Sequence, residues 1–392
     1  MVSILPSKPA TSIQQRSAEV EDLHTDELEA YVCRISLIAN EFPELKYSNA
    51  GCQIRQTDIY RLTSEGVRVA QPQENSCEIS FTFHLFRDPS GYNRQATHGE
   101  EYTCAAEALA DSTRFIKKLR EYIRQRLDLL QAKTEEDYYV GPVLFEGEAC
   151  RTIYDETSGG RHNFRAWHPY NQSDREIFVK MNRKIVDDKI SMRQDPNLST
   201  WDGKPLVGYY TADANGQKPQ PVTLIERGIF RSQLCGITSS LSTSTPTGNL
   251  RFNNPVNWNG ALGVGTAPGV LRIESSKTVP FKKMRKQLLR DAQREGYDHA
   301  YIVRDHALYR VNTKDGSETQ QKNPGIKVNL SDLRHISALS TEQEALTCTE
   351  DGGAYFSIVG PQSMLLGDIE VPATSQDQIA KPTLTFPLHR NK

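Results

Sequence analysis

Glu146 and Cys150 are the two residues whose types and spacing best suit chemistry, and they lie in the stretch Tyr138-Tyr139-Val140-Gly141-Pro142-Val143-Leu144-Phe145-Glu146-Gly147-Glu148-Ala149-Cys150. Tyr139 to Leu144 reads as a short buried strand, and Glu146 to Tyr154 as a helix that starts at the strand's carboxyl end. A carboxylate near a helix N-terminus is stabilised by free N–H groups, and residues four apart share a helical face. The spacing therefore predicts Glu146 and Cys150 in one cleft, a carboxylate to take a proton beside a thiol that can act as nucleophile or metal ligand. His162 and His168, six residues apart, invite a metal reading, and either could activate Cys150 as a nucleophile. No regular element fixes their spacing: Ser158-Gly159-Gly160 through Asn171 reads as a loop whose His162, Trp167, His168 and Tyr170 line a cleft. A lone Cys on a helix is in general a packing residue.

The elements that must position these residues differ on the two sides of the stretch. Before it, Asp26 and Glu27 open a helix with Leu28, Tyr31, Ile35 and Ile38 on one face. From Tyr47 to Tyr102 the period changes to two: a hairpin turns at Ser64-Glu65-Gly66, and Ile79, Phe81, Phe83 and Leu85 line a further strand with His84 opposite. Cys104 to Lys133 is the clearest helix, striped by Leu109, Phe115, Leu119, Ile123, Leu127 and Leu130. Its basic run, Lys117, Lys118, Arg120, Arg124 and Arg126, is interrupted by Glu107, Asp111, Glu121 and Asp128, which marks a solvated face and not a nucleic-acid patch. Thr134 to Asp137 is the boundary. After the stretch the chain is β-rich: a strand at Val186 to Met192, a turn at Asp195-Pro196, a hairpin around Glu226-Arg227-Gly228, and strands at Ala300–Val303, Ala307–Val311, 326–330 and 354–359. Pro280 to Glu295 is the one strong helix there, stopped by Gly296. The glycines at 260, 263, 265 and 269 lack nucleotide-fingerprint spacing.

These patterns predict an α+β fold. Residues 1–21 form a disordered lead-in, 22–133 an N-terminal α/β domain with an antiparallel sheet and helices, 138–371 a β-rich C-terminal domain of antiparallel sheets, and 372–392 a tail. The 392 residues carry 47 basic and 49 acidic side chains, a formal charge of −2, and nothing in that balance suggests a nucleic-acid or membrane surface. No apolar run approaches the ~18–20 residues a bilayer-spanning helix needs. Seven scattered cysteines without a Cys-x-x-Cys pair argue against a disulfide framework and for a reducing compartment. The expected location is cytoplasmic, or exported if a leader was removed before Met1.

The central stretch, together with Thr245-Pro246-Thr247-Gly248-Asn249, and Thr347-Cys348 followed by Asp351-Gly352, resembles the TldD/PmbA family, the gyrase-modulator or TldD/TldE peptidase family. Asp187-Asp188-Lys189-Ile190, Asp195-Pro196 and Leu224 to Ile229 resemble further blocks of it in the right order. The resemblance runs from about Glu27 to Val371, is specific past Tyr138, and implies an N-terminal domain truncated relative to the family. The family's active subunit carries His-Glu-x-x-x-His with a later Cys as zinc ligand. On that register the first His falls at Phe145, the Glu at Glu146, the second His at Cys150 and the late Cys at Cys348, so the motif is degenerate.

The resemblance therefore implies a TldE-like, non-catalytic subunit without a cofactor. It would bind unfolded peptide by strand addition, form a homo- or hetero-oligomer with a TldD-like subunit, and contact neither nucleic acid nor membrane. Asn249 and Arg251, with His162 and Trp167 in the mobile loop, are its candidate substrate-binding residues. The alternative is a divergent metallopeptidase with zinc on Cys150 and Cys348 and Glu146 as catalytic base. Two thiolates donate more charge than imidazoles, so water on such a zinc is a weaker acid.

Overall fold

The structure is a computed structural model that describes residues 13–14, 23–62, 68–85, 95–134, 137–154, 180–236, 245–252, 264–305, 307–322, 326–349 and 355–373. Among these, β1 (Ile13–Gln14) runs parallel to Val69 and Ala70 of a long antiparallel hairpin, β2 (Leu45–Leu62) and β3 (Arg68–Leu85), and β3 also pairs with β4 (Gln95–Tyr102). Alternation puts Ile79, Phe81 and Phe83 on one face of β3. They form a core with Tyr31 and Ile35 of α1 (Thr25–Leu37) and with Phe115, Leu119 and Ile123 of the helical segment that follows.

That segment is not the single helix the periodicity predicts. It is divided into α2 (Ala105–Ala110) and α3 (Ser112–Gln131) at Asp111, whose φ of −89° and ψ of 0° lie at the edge of the helical region. The Asp111 carboxylate accepts hydrogen bonds from the Tyr102 hydroxyl at 3.1 Å and Arg114 Nε at 2.7 Å, which fix its side chain at the junction. Two cations of the basic run on α3 are paired with acids from other elements, which the sequence does not mark: Arg120 with Glu41 at 2.7 Å and Lys118 with Glu100 at 3.2 Å.

The remaining strands build two larger sheets. The chain continues through β5 (Lys133–Thr134), β6 (Tyr139–Glu146), α4 (Glu148–Tyr154), β7 (Ile190–Gln194), the small ribbon β8 (Thr200–Trp201) and β9 (Lys204–Pro205), then β10 (Val222–Glu226) and β11 (Ile229–Phe230). A second ribbon, β12 (Leu250–Phe252) and β13 (Val264–Thr266), precedes β14 (Val270–Ser275) and α5 (Phe281–Arg294). Strands β15 (His299–Arg304), β16 (Ala307–Asn312), β17 (Glu318–Lys322), β18 (Ile336–Leu339), β19 (Gln343–Thr349), β20 (Tyr355–Pro361) and β21 (Ser363–Val371) complete it. One sheet has the order β18-β21-β6-β15-β16-β17-β5 and the other β11-β10-β7-β14-β20-β19.

The class is α+β, as the sequence predicts. The sheets are mixed, however, and not wholly antiparallel: β6 runs parallel to β15, β14 to β20 and β5 to β17. Helix α5 covers one face of the seven-stranded sheet through Met284, Leu288 and Ala292, which meet Leu144, Ile302 and Leu365. The other face, carrying Val143, Phe145, Tyr301 and Leu366, packs with Met192, Leu224, Ile273 and Phe356 of the six-stranded sheet. The strand expected over 326–330 does not form. Ile326, Val328 and Leu330 do pack against this core, so the alternation reports an apolar face and not a strand.

Candidate functional site

Strand β6 lies between β21 and β15 and carries two residues that suit a central strand poorly, Gly141 and Pro142. Pro142 has no N–H to give, and the facing strand bulges there: Gly141 pairs with Ile369 and Val143 with Leu366, so β21 spends one residue more than β6. Gly141 admits the Tyr139 hydroxyl, which donates to Pro142 O at 2.9 Å; a Cβ there would lie 2.8 Å from that oxygen. At the strand's end Gly147, at φ +59°, turns the chain into α4. Asp305 Oδ1 accepts from Glu148 N at 3.1 Å and lies where a Gly147 Cβ would intrude.

The helix thus begins at Glu148, and Glu146 is the last residue of the strand, where the sequence places it in the helix. Consecutive strand side chains point to opposite faces. Phe145, 3 % exposed, faces the core between the sheets together with Ala149, Cys150 and Ile153. Cys150 is fully buried there, and its thiol donates to Pro361 O at 3.5 Å. Glu146 faces the other way and pairs with Arg304, directly across the parallel ladder, whose Nε donates to Glu146 Oε2 at 2.8 Å. Arg304 also reaches Glu318 at 3.5 Å and lies over the Tyr309 ring at 5.0 Å. Burial works against its charge, but the hydrogen bond from Glu146 and the fields of Glu146 and Glu318 outweigh it and hold its pKa above the ordinary value. The single cleft expected for Glu146 and Cys150 is therefore split by the sheet.

A zinc ion does not fit this donor set. Phe145 has no lone pair to offer, Glu146 is engaged by a guanidinium, and Cys150 is enclosed by apolar side chains. The backbone of Cys348 pairs with Phe356 in the β19–β20 ladder. Among the described residues no three His, Cys, Asp or Glu side chains converge on one point. His162, Trp167, His168 and Tyr170 lie outside the described residues.

The other predicted residues, Asn249 and Arg251, belong to a buried polar cluster. Thr247 Oγ1 accepts from Cys235 N at 2.7 Å and donates to Cys235 O at 2.6 Å, and Gly248, at φ +70°, lies so close to Lys218 O that a Cβ would stand 2.6 Å from it. This fixes Asn249, fully buried, whose Nδ2 donates to the Tyr210 hydroxyl at 2.8 Å; that hydroxyl donates in turn to Gly248 O at 2.8 Å. Burial, with Asp213 nearby, raises the Tyr210 phenol well above its ordinary range. Arg251 lies over the Tyr210 ring at 4.8 Å and donates to Pro268 O at 2.7 Å. Burial pushes its pKa down to about 9, which leaves it cationic at neutral pH. Gln194 Oε1 accepts from Gly269 N at 3.1 Å. Among the described residues Asn249 Oδ1 and Gln194 Nε2 are buried without a hydrogen-bond partner, one an acceptor and the other a donor.

The structure thus groups Asn249 with Arg251 and separates both from the Glu146 pair. Arg304, Tyr210, Asp213 and Gln194 were not marked by the sequence. Only Asp213-Ala214-Asn215-Gly216 carries a local signal, that of a turn, which the structure bears out: Asp213 Oδ1 accepts from Asn215 N at 2.8 Å and Gln217 N at 2.9 Å.

Residues 139–312 match a family model described as the PmbA/TldA metallopeptidase C-terminal domain. No curated protein matches the sequence. Among solved structures, a protein from Thermotoga maritima MSB8 assigned as a modulator of a DNA gyrase is similar at a TM-score of 0.57 and 14 % identity, covering 88 % of this chain and 73 % of that one. One from Bacteroides thetaiotaomicron VPI-5482, assigned likewise, is similar at 0.54 and 10 %, covering 88 % and 71 %. TldE from Thermococcus kodakarensis is matched at 0.49 and 12 %, covering 88 % and 73 %. At these identities the first two likenesses concern the fold.

Proposed function

Through residues 139–312 this chain belongs to the TldD/PmbA family, and from that premise we propose that it is a non-catalytic, TldE-like subunit that binds unfolded peptide for a zinc-bearing relative. The observation that carries the reading is Phe145. The position that the family motif gives to a zinc-ligating histidine holds a phenyl ring packed between two sheets, while the neighbouring Glu146 is turned to the opposite face and neutralised by Arg304. A general base must reach the water it activates. Glu146 has a guanidinium in the way.

Peptide binding is supported by the polar cluster and by its neighbouring strand edge. Asn249 and Gln194 are fully buried, so their part is to fix Tyr210 and Gly269 in place and not to touch a peptide. Arg251 and Asn249 hold Tyr210, which alone of these side chains reaches the surface in part. Val270, next to the Gly269 that Gln194 grips, pairs with Ser357, and Ser357 with Thr347 of β19. The outer edge of β19 thus lies about 10 Å away, two strand spacings, and offers backbone groups for an added strand.

The test is binding of fluorescein-labelled, carboxymethylated casein as an unfolded probe, with zinc measured by elemental mass spectrometry and cleavage followed on gels. The chain alone should bind the probe without cutting it, and Asn249→Ala, which removes a buried side chain hydrogen-bonded to Tyr210, should weaken binding by roughly tenfold, about 1.4 kcal/mol, and lower Tm as well, so binding is compared at a temperature where both proteins are folded. Near-stoichiometric zinc that vanishes in Cys348→Ala, with hydrolysis by the chain alone, would overturn the proposal and install the divergent metallopeptidase.

A further inference from the structure

Cys52 and Cys77 stand on adjacent strands of the N-terminal hairpin, remote from the cluster discussed above. Cys52 pairs with Ile79 and Cys77 with Ile54, so the four side chains share the face that packs against the helices. The two sulfurs lie 3.8 Å apart, in contact but not bonded; a disulfide at about 2.05 Å would require them to close by roughly 1.8 Å. Their surroundings differ. Cys77 is fully buried, whereas Cys52 is partly open to solvent.

We propose that Cys52 and Cys77 form a reversible dithiol–disulfide pair, with Cys52 as the attacking thiol, Cys77 as the resolving thiol and a small disulfide of the glutathione type as oxidant. A thiol hydrogen bond from Cys77 holds the Cys52 pKa below the ordinary thiol value against the opposing effect of burial, while the same bond and burial raise Cys77. The thiolate is the reactive form, so the accessible sulfur is also the activated one. In the first step Cys52 bonds to one sulfur of the small disulfide, breaking its S–S bond and expelling a thiolate. Cys77 then gives up its proton, attacks the Cys52 sulfur and expels the second thiolate. The two protons lost by the cysteines are taken up by the two departing thiolates. Two electrons pass from the protein to the small disulfide, which leaves as two thiols.

The product would staple β2 to β3 across the sheet that carries the N-terminal core. Cys33, exposed on α1, provides an internal comparison for simple surface oxidation.

The full chain is equilibrated in glutathione buffers from fully reduced to fully oxidised, quenched with acid, alkylated with N-ethylmaleimide under denaturing conditions and mapped by mass spectrometry. Circular dichroism before quenching confirms that the fold persists. The expected result is joint, near-complete loss of alkylation at Cys52 and Cys77 along one two-electron curve, with a linked peptide pair, while Cys33 is alkylated or singly glutathionylated. Cys77→Ser should stop at a Cys52–glutathione adduct. A wild-type protein in which Cys52 ends as a stable glutathione adduct while Cys77 stays a free thiol, or in which Cys77 links to Cys104 instead, overturns the proposal. The wild-type map decides even if the variant misfolds.

Discussion

Glu146 and Arg304 face each other across a parallel ladder, with the carboxylate 7 % exposed and its guanidinium partner 2.8 Å away. A buried carboxylate without that partner would be costly, so the pair behaves as a structural unit. Glu146→Gln keeps the shape and removes the charge, and should cost about 1–2 kcal/mol of stability, read as a Tm lower by roughly 2–6 °C. Probe binding should be unchanged. A carboxylate acting as a catalytic base would give the opposite pattern, an unchanged Tm and abolished turnover. The sequence made Glu146 and Cys150 conspicuous through types and spacing, but their separation depends on whether residue 146 is counted in a strand or in a helix. That boundary is set by Gly147 at φ +59° and by Asp305, a residue far along the chain whose backbone also has positive φ. No local pattern holds that information. The family resemblance marked Asn249 and Arg251 as candidates, while their neighbours Tyr210 and Gln194 are brought to this cluster only by the tertiary fold.

Among the elements, the hairpin at residues 222–230 was fully legible because its instructions are local. Ile225 pairs with Phe230 and Glu226 with Ile229, leaving Arg227 and Gly228 as a two-residue turn with φ of +46° and +78°. Two positive φ values identify the turn type whose twist matches that of the strands. Gly228 has a second reason to be glycine: a Cβ would lie 2.5 Å from Val186 O and 2.8 Å from Asp187 O, both backbone atoms that cannot swing aside. Gly228→Ala should therefore cost at least about 2 kcal/mol, beyond the roughly 1 kcal/mol expected from left-handed strain alone. Arg227→Gly, where strain is relieved and no packing is lost, should fall within about 0.5 kcal/mol of wild type. Urea unfolding of both variants separates the clash from the torsional preference: equal costs would mean that the close approach to Val186 is not felt. The failed strand at 326–330 and the divided helix at Asp111 mark the other limit. Alternation and helical periodicity report which side of a segment is apolar, and neither reports whether a ladder forms or where a helix is interrupted.

In the whole molecule, the N-terminal segment up to Asp137 is joined to the rest of the chain by contacts that composition cannot reveal. Lys133 and Thr134 pair with Gln321 and Lys322, Asp137 accepts from Arg310 at 3.1 Å, Gln125 donates to the Tyr309 hydroxyl at 3.5 Å, and Lys204 lies 3.8 Å from Asp111. The sequence predicts a boundary at 134–137, and it gives no sign of the strand Lys133–Thr134 that enters the seven-stranded sheet. Asp111 tests how much such links matter, since it holds both the α2–α3 turn and Lys204. Burial alone would raise its pKa, but Arg114, the Tyr102 hydroxyl and Lys204 outweigh burial and hold it below the ordinary carboxylate value. A carboxylate depressed in the folded state adds stability above its unfolded pKa and loses it as pH falls through the folded value. Asp111→Asn should thus be less stable than wild type by about 1–2 kcal/mol at neutral pH, and the difference should shrink steadily below about pH 4. Lys204→Ala should cost less than about 0.5 kcal/mol, because its side chain is 59 % exposed and its ammonium only at the edge of contact. Urea unfolding across this pH range distinguishes the contributions. A gap for Asp111→Asn that persists at low pH would assign its role to turn geometry and not to charge, and a Lys204→Ala cost equal to that of Asp111→Asn would show that the link between the halves, not the turn between the helices, is what the carboxylate secures.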